Sequence, residues 1–544
     1  MSEEKKKKTW ELPPEVRRPK EETEAFLCRA LERLEPEDHT ILRAYVEAVG
    51  KLLEILQRKN LSLKRLRTML FGSGTEKTST VLGKEKEGKE TEEKEERPKR
   101  KGHGRRGADE YKGAPEIPVP HATLKPGDGC PCCNNGKVYD TGRSGVEPRI
   151  KGRPMLDVKV YRPERLRCSL CGEVFTAEIP PEAGPKKYDE TAGSAIVILK
   201  YGTGMPFRRL ETLEESMGVP LPAGTQWEIT DEAAKACAPA HEELERQAAR
   251  GEIFHNDDTK MKILGRKKKD EPESGAKGKR KGVVTTGIIS KVDGHTIALY
   301  VTGKKNAGEN LATLLGKRPE NLPRPIQMAD GLAANNPKGF ATILANCAAH
   351  GRRKFVEIKS FFPEECAVVL EAFRAVYHND DLAAGMSKEE RLEFHQRESG
   401  PVMARLKEWL EGQLREKKVE PNSGLGKAIS YLLERWERLT RFLEVAGAPL
   451  DNNLVERALK LVILHRKNAL YYRTERGAQV GDLFMSLIQT CRLEGENPFE
   501  YLTALQRNAA AVRERPQDWL PWTYRSTLAR LAAGGEKVRL ADTG

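Results

Sequence analysis

The sequence predicts a multidomain α+β protein. An α/β core interrupted by a helical insertion follows a coiled-coil helix, a zinc ribbon and a helix-turn-helix-like helical domain. Three observations carry this reading. Leu42, Val49, Leu56, Leu63 and Leu70 recur every seven residues. Two Cys-x-x-Cys units, Cys130 to Cys133 and Cys168 to Cys171, stand 34 residues apart across the gap between them. Near Gly251 the hydrophobic period changes from helical to alternating, and after His350 it turns helical again.

Taken in order, residues 1–35 are a charged tail and 36–77 the coiled-coil helix, broken only by Lys59 in its second row. Such a seam implies a homodimer or higher oligomer. Residues 78–125 are rich in Lys and Glu and read as a disordered basic linker. The span 126–180 is the ribbon, with Cys130, Cys133, Cys168 and Cys171 as Zn²⁺ ligands, because four thiolates close a tetrahedral structural site. Residues 185–250 are helical. A helix at Arg208–Ser216, a break at Met217-Gly-Val-Pro220 and a helix at Ala223–Cys237 are compatible with helix-turn-helix DNA binding, with Thr225 and Gln226 at the start of the second helix.

The first segment of the core spans 251–347. A strand at Glu252–Asp258 ends in two carboxylates. A hairpin turns at Asp293-Gly294, a helix covers Ala307–Leu315, and a strand at Pro325–Ala329 leads to Asp330. The insertion occupies 348–447. The core resumes over 448–510, opening with Leu450-Asp-Asn-Asn-Leu-Val-Glu456 and a helix in which Lys460 and Lys467 share a face with Glu456. Asn453 followed by Glu456 is also a capping-box spacing, so Glu456 taken alone reads better as a cap than as a ligand. Residues 511–544 form a carboxy-terminal tail.

Bulk properties narrow the function. The chain has 544 residues, too many for one core, and a net charge of +13. That balance favours a polyanionic partner, DNA or RNA, over a membrane. No apolar run approaches a membrane span, so a cytoplasmic, nucleoid-associated protein is expected. Ten cysteines suit a reducing compartment.

Strand, hairpin, helix, strand is how an RNase H-like domain begins, and in it the first and fourth strands adjoin. Asp257 and Asp330 would then converge, with Glu456 supplied by the late helix. Three clustered carboxylates repel one another and call for cations, Mg²⁺ or Mn²⁺, which suit phosphodiester chemistry.

The chain resembles, over nearly its whole length, the bacterial insertion-sequence-66-type transposases. The resembling blocks are Phe71-Gly-Ser-Gly-Thr-Glu-Lys77, Cys130-Pro-Cys-Cys133, Lys200-Tyr-Gly-Thr-Gly-Met-Pro206, His255-Asn-Asp-Asp-Thr259, Ala349-His-Gly-Arg-Arg-Lys-Phe355, Asp451-Asn-Asn-Leu-Val-Glu-Arg457, Arg466-Lys-Asn468 and Trp519-Leu-Pro-Trp522. Thr75 departs from the commoner Phe-Gly-x-x-Ser-Glu-Lys form. The resemblance implies a DDE transposase with Asp257, Asp330 and Glu456 as catalytic triad and metal ligands. Asp257 is preferred to Asp258 because the family motif tolerates Glu at the second position. It also implies recognition of terminal inverted repeats and joining of 3′-hydroxyl ends to target DNA; the sequence leaves open whether helper proteins from the same element take part. Lys460, Arg466 and Lys467 are expected on phosphates, with His350, Arg352 and Arg353 positioning DNA. The rival expectations are an inactive transposase-derived DNA-binding regulator and a stand-alone metal-dependent nuclease.

Overall fold

A computed structural model describes residues 122–132, 136–139, 155–171, 173–264 and 282–533. The expected charged tail, the coiled-coil helix at 36–77 and nearly all of the 78–125 linker lie outside the described residues, as does Cys133.

Strands β1 (Arg165–Arg167) and β2 (Val174–Thr176) pair antiparallel, with Leu166 opposite Phe175. The second Cys-x-x-Cys unit forms the turn between them. Each unit opens on a tight turn: the Cys168 amide donates to the Glu173 carbonyl at 2.9 Å and the Cys130 amide to Gly136 at 2.7 Å.

Helix α1 (Glu190–Val197) is capped by Asp189, whose carboxylate accepts from the amides of Thr191 and Ala192. It continues as a π-helical turn, Ile198–Gly202, followed by α2 (Phe207–Ser216) and α3 (Ala223–Ala249). Helix α3 runs twelve residues past the expected end at Cys237 and carries Pro239 inside it. Burial outweighs the lost backbone hydrogen bond, because Ala233, Ala234, Cys237, Ala240, Leu244 and Ala248 all sit in the main core. A helix buried this way is a structural spine. Gln226 is fully buried and donates to the Leu221 carbonyl at 2.8 Å, which corrects its expected place on DNA. Thr225 is half-buried beside it.

The central sheet comprises β3 (Ile253–Met261), β4 (Val283–Val292), β5 (His295–Gly303), β6 (Ile326–Ala329) and β7 (Ile343–Asn346), in the order β5-β4-β3-β6-β7. Strands β3, β6 and β7 are parallel and β4 is antiparallel to both its neighbours. Asp293 and Gly294, at φ of 50° and 83°, make the two-residue hairpin turn that the Asp-Gly pair predicts. Helix α4 (Ala307–Leu315) has the expected bounds, set by a capping box between Asn306 and Glu309.

The outer edge, β5, is sealed by α12 (Glu475–Leu493) and the residue just beyond it. Side chains four residues apart meet amides two residues apart. Asp482 accepts from Thr302, Ser486 from Tyr300, Thr490 from Ala298 and Glu494 from Thr296, at 2.7–3.1 Å. Four helical residues rise about 6 Å and two strand residues about 6.8 Å, so the two ladders match closely. An edge that would otherwise offer free amides to another chain is closed. The neighbouring Phe484, Met485, Leu487 and Ile488 complete the core against Ile297, Leu299 and α3.

After β7 come the insertion helices α5 (Ala348–Ile358), α6 (Pro363–Leu382), α7 (Lys388–Glu398), α8 (Gly400–Arg415), α9 (Gly424–Leu433) and α10 (Trp436–Leu439). Helices α7 and α8 are separated only by a break at Ser399, ahead of Pro401, which has no amide to donate. The chain then returns as α11 (Asn453–Ala469). Helices α13 (Pro498–Arg507), α14 (Ala509–Glu514) and α15 (Tyr524–Ala533) close the described chain. Up to residue 533 the expected carboxy-terminal tail is core instead. Trp519 and Tyr524 are each 1% exposed, and the Tyr501 hydroxyl donates to the Trp519 carbonyl at 2.8 Å. Among the described residues no helix is long and apolar enough to cross a membrane.

Candidate active site

The register of the parallel pair sets the first two acids. His255 on β3 lies level with Met328 on β6. Asp257, still inside β3, which runs on to Met261 rather than ending at Asp258 as expected, and Asp330, just past the end of β6, each follow two residues later, so they stand at the same height. Side chains alternate along β3, and the two acids of Asn-Asp-Asp diverge accordingly. Asp258 is fully engaged away from Asp330: the Thr286 hydroxyl donates to one oxygen at 2.6 Å and the Ala307 amide to the other at 2.8 Å. It holds the start of α4. Asp257 accepts the Asp258 amide at 2.8 Å. Burial, reinforced by the charges of Asp330, Glu456 and Asp258, pushes the Asp257 carboxyl up to about 7.

Asp330 is fixed by its own turn. Its Oδ1 accepts from the Leu332 amide at 3.0 Å and from Asn335 Nδ2 at 2.6 Å. The insertion braces the turn from outside. The Tyr431 hydroxyl donates to the Asp330 carbonyl at 3.2 Å, and the Arg435 guanidinium stacks over the Tyr431 ring at 4.2 Å. Gly331, at φ of 86°, faces Arg435, whose Nε would lie 3.1 Å from an added Cβ.

Glu456 lies in the first turn of α11, and Asp451 and Asn452 decide where that helix begins. Asp451 accepts the Asn453 amide at 3.0 Å and Asn453 Nδ2 at 2.5 Å. Asn452 is fully buried. Its Nδ2 donates to the Asn256 carbonyl at 3.3 Å, which turns Oδ1 toward His255 Nδ1 at 3.1 Å. Burial and the Lys291 charge hold His255 down to about 4, so the neutral ring donates from Nδ1. The helix is thereby stitched to β3 immediately before Asp257. No side chain caps α11 through Asn452, and neither Glu456 nor Asn453 forms a capping box, so the capping alternative for Glu456 does not hold.

A glycine permits the approach. Gly287 on β4 sits opposite Asp257, and a Cβ there would meet Leu459 Cδ2 at 2.9 Å and Val455 Cγ2 at 3.2 Å. Helix α11 therefore rests on bare backbone, packed by Val455, Ala458, Leu459 and Val462.

The other expected contacts divide. Lys460 and Lys467 are exposed. Arg466 instead braces β3, donating to the Lys260 carbonyl at 2.5 Å and to the Thr259 hydroxyl at 3.2 Å. Arg353 is half-buried, whereas Arg352 is 7% exposed and so is not presented to a DNA surface as expected. His350 faces Glu456, with Nδ1 3.7 Å from Oε1. Cys347, His350 and Glu456 bring donor atoms within 4.8 Å of one another, a possible metal-binding group among the described residues. Sequence pattern does not single out Asn452 or Cys347: the first reads as a helix starter and the second as the end of a strand. A raised carboxyl alone does not mark the site. Asp482, also pushed up to about 7 by burial, is spent on the β5 edge.

Residues 187–480, more than half the chain, match the family described as Transposase IS66 family. The chain belongs to this family. Over 439 residues it is 25% identical to "Uncharacterized protein y4hP" of Sinorhizobium fredii (strain NBRC 101917 / NGR234), covering 76% of each chain. It is 26% identical to "Uncharacterized protein y4jD" of the same strain, over 74% of this chain and 80% of the relative. To "Uncharacterized protein y4qI" of that strain it is 31% identical over 191 residues, 34% of each. In this transposase the matched span runs from α1 to the first turns of α12, so it includes the sheet, the insertion and α11.

The Asn452 clamp gives a test. Asn452→Ala removes two buried side-chain hydrogen bonds, and a stability loss of about 1–3 kcal/mol is expected from denaturant midpoints. An unchanged midpoint would mean that α11 is held elsewhere.

Proposed function

We propose that this transposase binds the terminal inverted repeats of its element, cleaves DNA at the ends and joins the freed 3′-hydroxyls to target DNA. One observation carries the reading. Asp257 within β3 and Asp330 just past its parallel neighbour β6 stand at one height, and α11 is clamped so that Glu456 acts on the Asp257 carboxylate, in the order that an RNase H-like core requires.

The residues fit divalent cations. Asp257 resists ionisation where it stands, and Glu456 Oε1 is shielded from solvent with no hydrogen-bond partner. Asp257, Asp330 and Glu456 would hold Mg²⁺ or Mn²⁺, which would supply positive charge to ease proton loss from the attacking oxygen and to stabilise the leaving one. The chain supplies the positions. Asn452 and Gly287 set the helix against the strand, Tyr431 and Arg435 hold the Asp330 turn, and the exposed Lys460 and Lys467 offer charge to the phosphates. In cleavage, water replaces the 3′ oxygen on phosphorus. In joining, that 3′-hydroxyl replaces another 3′ oxygen in the target, so one phosphodiester forms as one breaks.

The test uses the purified full chain with DNA carrying the element's ends. Asp257→Asn and Glu456→Gln should retain end binding and lose Mg²⁺-dependent cleavage and joining by three orders of magnitude or more, on the order of an essential catalytic group. Full activity in both variants would sink the assignment, and cleavage without joined products in the unaltered protein would make it a nuclease. Self-association through the heptads at 40–70 belongs to the same proposal and is checked by light scattering at micromolar concentration.

Zinc in the ribbon is also proposed, supported by the paired Cys turns and the β1–β2 hairpin. Cys168→Ser should lower zinc by one equivalent per chain, read by elemental analysis. Undiminished zinc would remove Cys168 from the ligand set.

A further inference from the structure

Glu456 has two sets of neighbours with different chemistry. The Asp257 carboxylate, on which the Asp330 charge also acts, is one. The other is a sulfur and an imidazole: Cys347 Sγ, His350 Nδ1 and a Glu456 oxygen, all within 4.8 Å of one another. The His350 Nδ1 to Glu456 Oε1 separation of 3.7 Å is too long for a hydrogen bond. Both atoms are shielded from solvent and neither has a hydrogen-bond partner. Two polar atoms left in this state cost free energy, and a direct bond would have relieved both. The spacing suits something placed between them. Donors about 2.0–2.3 Å from a tetrahedral ion stand roughly 3.3–3.8 Å apart.

The local backbone supports the arrangement. Cys347 is the residue before α5 and His350 is three positions on, so both reach the same face of its first turn. The Asn452 amide donates to Cys347 Sγ at 3.2 Å, while burial pushes the thiol up to about 12, so an ion binding there has to displace the thiol proton. The same Asn452 sets the start of α11, so the donor trio is built by the device that places Glu456.

Sulfur and imidazole donors select borderline or soft ions, whereas Mg²⁺ asks for oxygen ligands in octahedral array. We propose that Cys347, His350 and Glu456 form a site for a thiophilic divalent cation such as Zn²⁺, and that an ion bound there withdraws Glu456 from the aspartate pair and inhibits the enzyme. The binding claim stands on the donor geometry. The inhibition rests on the reading that Glu456 serves the reaction.

Both halves are tested on the full chain with Co²⁺ and Zn²⁺ as probes. Co²⁺ binding is followed by its thiolate charge-transfer and ligand-field absorption, with folding of each variant checked by circular dichroism. Cys347→Ser and His350→Gln should each take up one equivalent less than the unaltered protein, while Cys168→Ser loses a different equivalent, in the ribbon. Equal uptake by the unaltered protein and both site variants would overturn the site. For inhibition, joining in Mg²⁺ is measured against rising Zn²⁺, each protein relative to its own zinc-free rate. The inhibitory concentration should rise at least tenfold in Cys347→Ser. An unshifted inhibition curve would overturn the withdrawal of Glu456. Should joining be absent altogether, the transposition reading fails while the cobalt titration still decides the site.

Discussion

In the absence of divalent cations, Asp257→Asn should make the protein more stable at pH 8, by about 1–3 kcal/mol, and leave it unchanged at pH 4. The sign follows from the direction of the shift. Burial and neighbouring carboxylates raise the Asp257 carboxyl from the usual 3.8 to about 7 in the folded chain. Between those values the native state binds a proton that the unfolded state has released, so stability falls as pH rises through the window. Above about 7 the cost of the buried charge is complete. Three pH units correspond to about 4 kcal/mol, reduced here because the residue is partly open to water. The asparagine carries no charge and escapes the penalty. Millimolar Mg²⁺ should reverse the order, stabilising the unaltered protein and not the variant. Thermal melts at the two pH values, with and without Mg²⁺, check both statements. Identical melts at pH 8 would show that Asp257 ionises without strain and would weaken the case for a metal ligand.

Gly287→Val should nearly silence joining while sparing DNA binding. The added side chain would enter the space held by Leu459 and Val455, with its Cβ about as close as 2.9 Å to a side-chain carbon. Overpacking of this kind costs about 1–3 kcal/mol. The larger effect is geometric. Helix α11 must lift or slide, and Glu456 goes with it. A displacement near 1 Å at a reacting centre costs about a hundredfold in rate. Gly303→Ala is the control, since an added Cβ there meets nothing within 4 Å. Joining by Gly287→Val at the rate of the control would show that the contact between β4 and α11 does not set the position of Glu456.

Much of the site is legible in local pattern. Asp330 sits just past a strand end because an apolar run stops there, and the Asp-Gly turn fixes the hairpin, whereas β3 continues three residues beyond the expected end at Asp258, to Met261, and leaves Asp257 inside the strand. Glu456 and its helix follow from 3.6-residue spacing. What escapes depends on segments that are distant in sequence. Asn452 looks like any helix-starting residue until His255 and Asn256 are seen beside it. Cys347 gains meaning only from His350 and Glu456 together. Gly287 reads as a weak point in a strand, and its use appears only when α11 lands on it. Asp482, Ser486, Thr490 and Glu494 are visible as a polar row at four-residue spacing, yet nothing local says that they face the amides of β5. Gln226 and Arg352 mislead in the opposite sense: polarity suggests a surface, and internal packing covers both.

The insertion begins and ends at one place. The Ala348 amide donates to the Leu450 carbonyl at 3.1 Å, and the Asn452 amide reaches Cys347 Sγ at 3.2 Å. Roughly a hundred residues leave the core and rejoin it across a single hydrogen-bonded gate. The number of residues between the second aspartate and the glutamate is therefore uncoupled from the distance between them. Lengthening such a closed excursion costs only about 0.6 kcal/mol per doubling for a flexible chain. The gate makes the insertion an exchangeable cassette. Its length and surface are free to drift to suit new DNA, provided that Tyr431 and Arg435, or replacements for them, still meet the Asp330 turn, while the chemistry at its base stays in register.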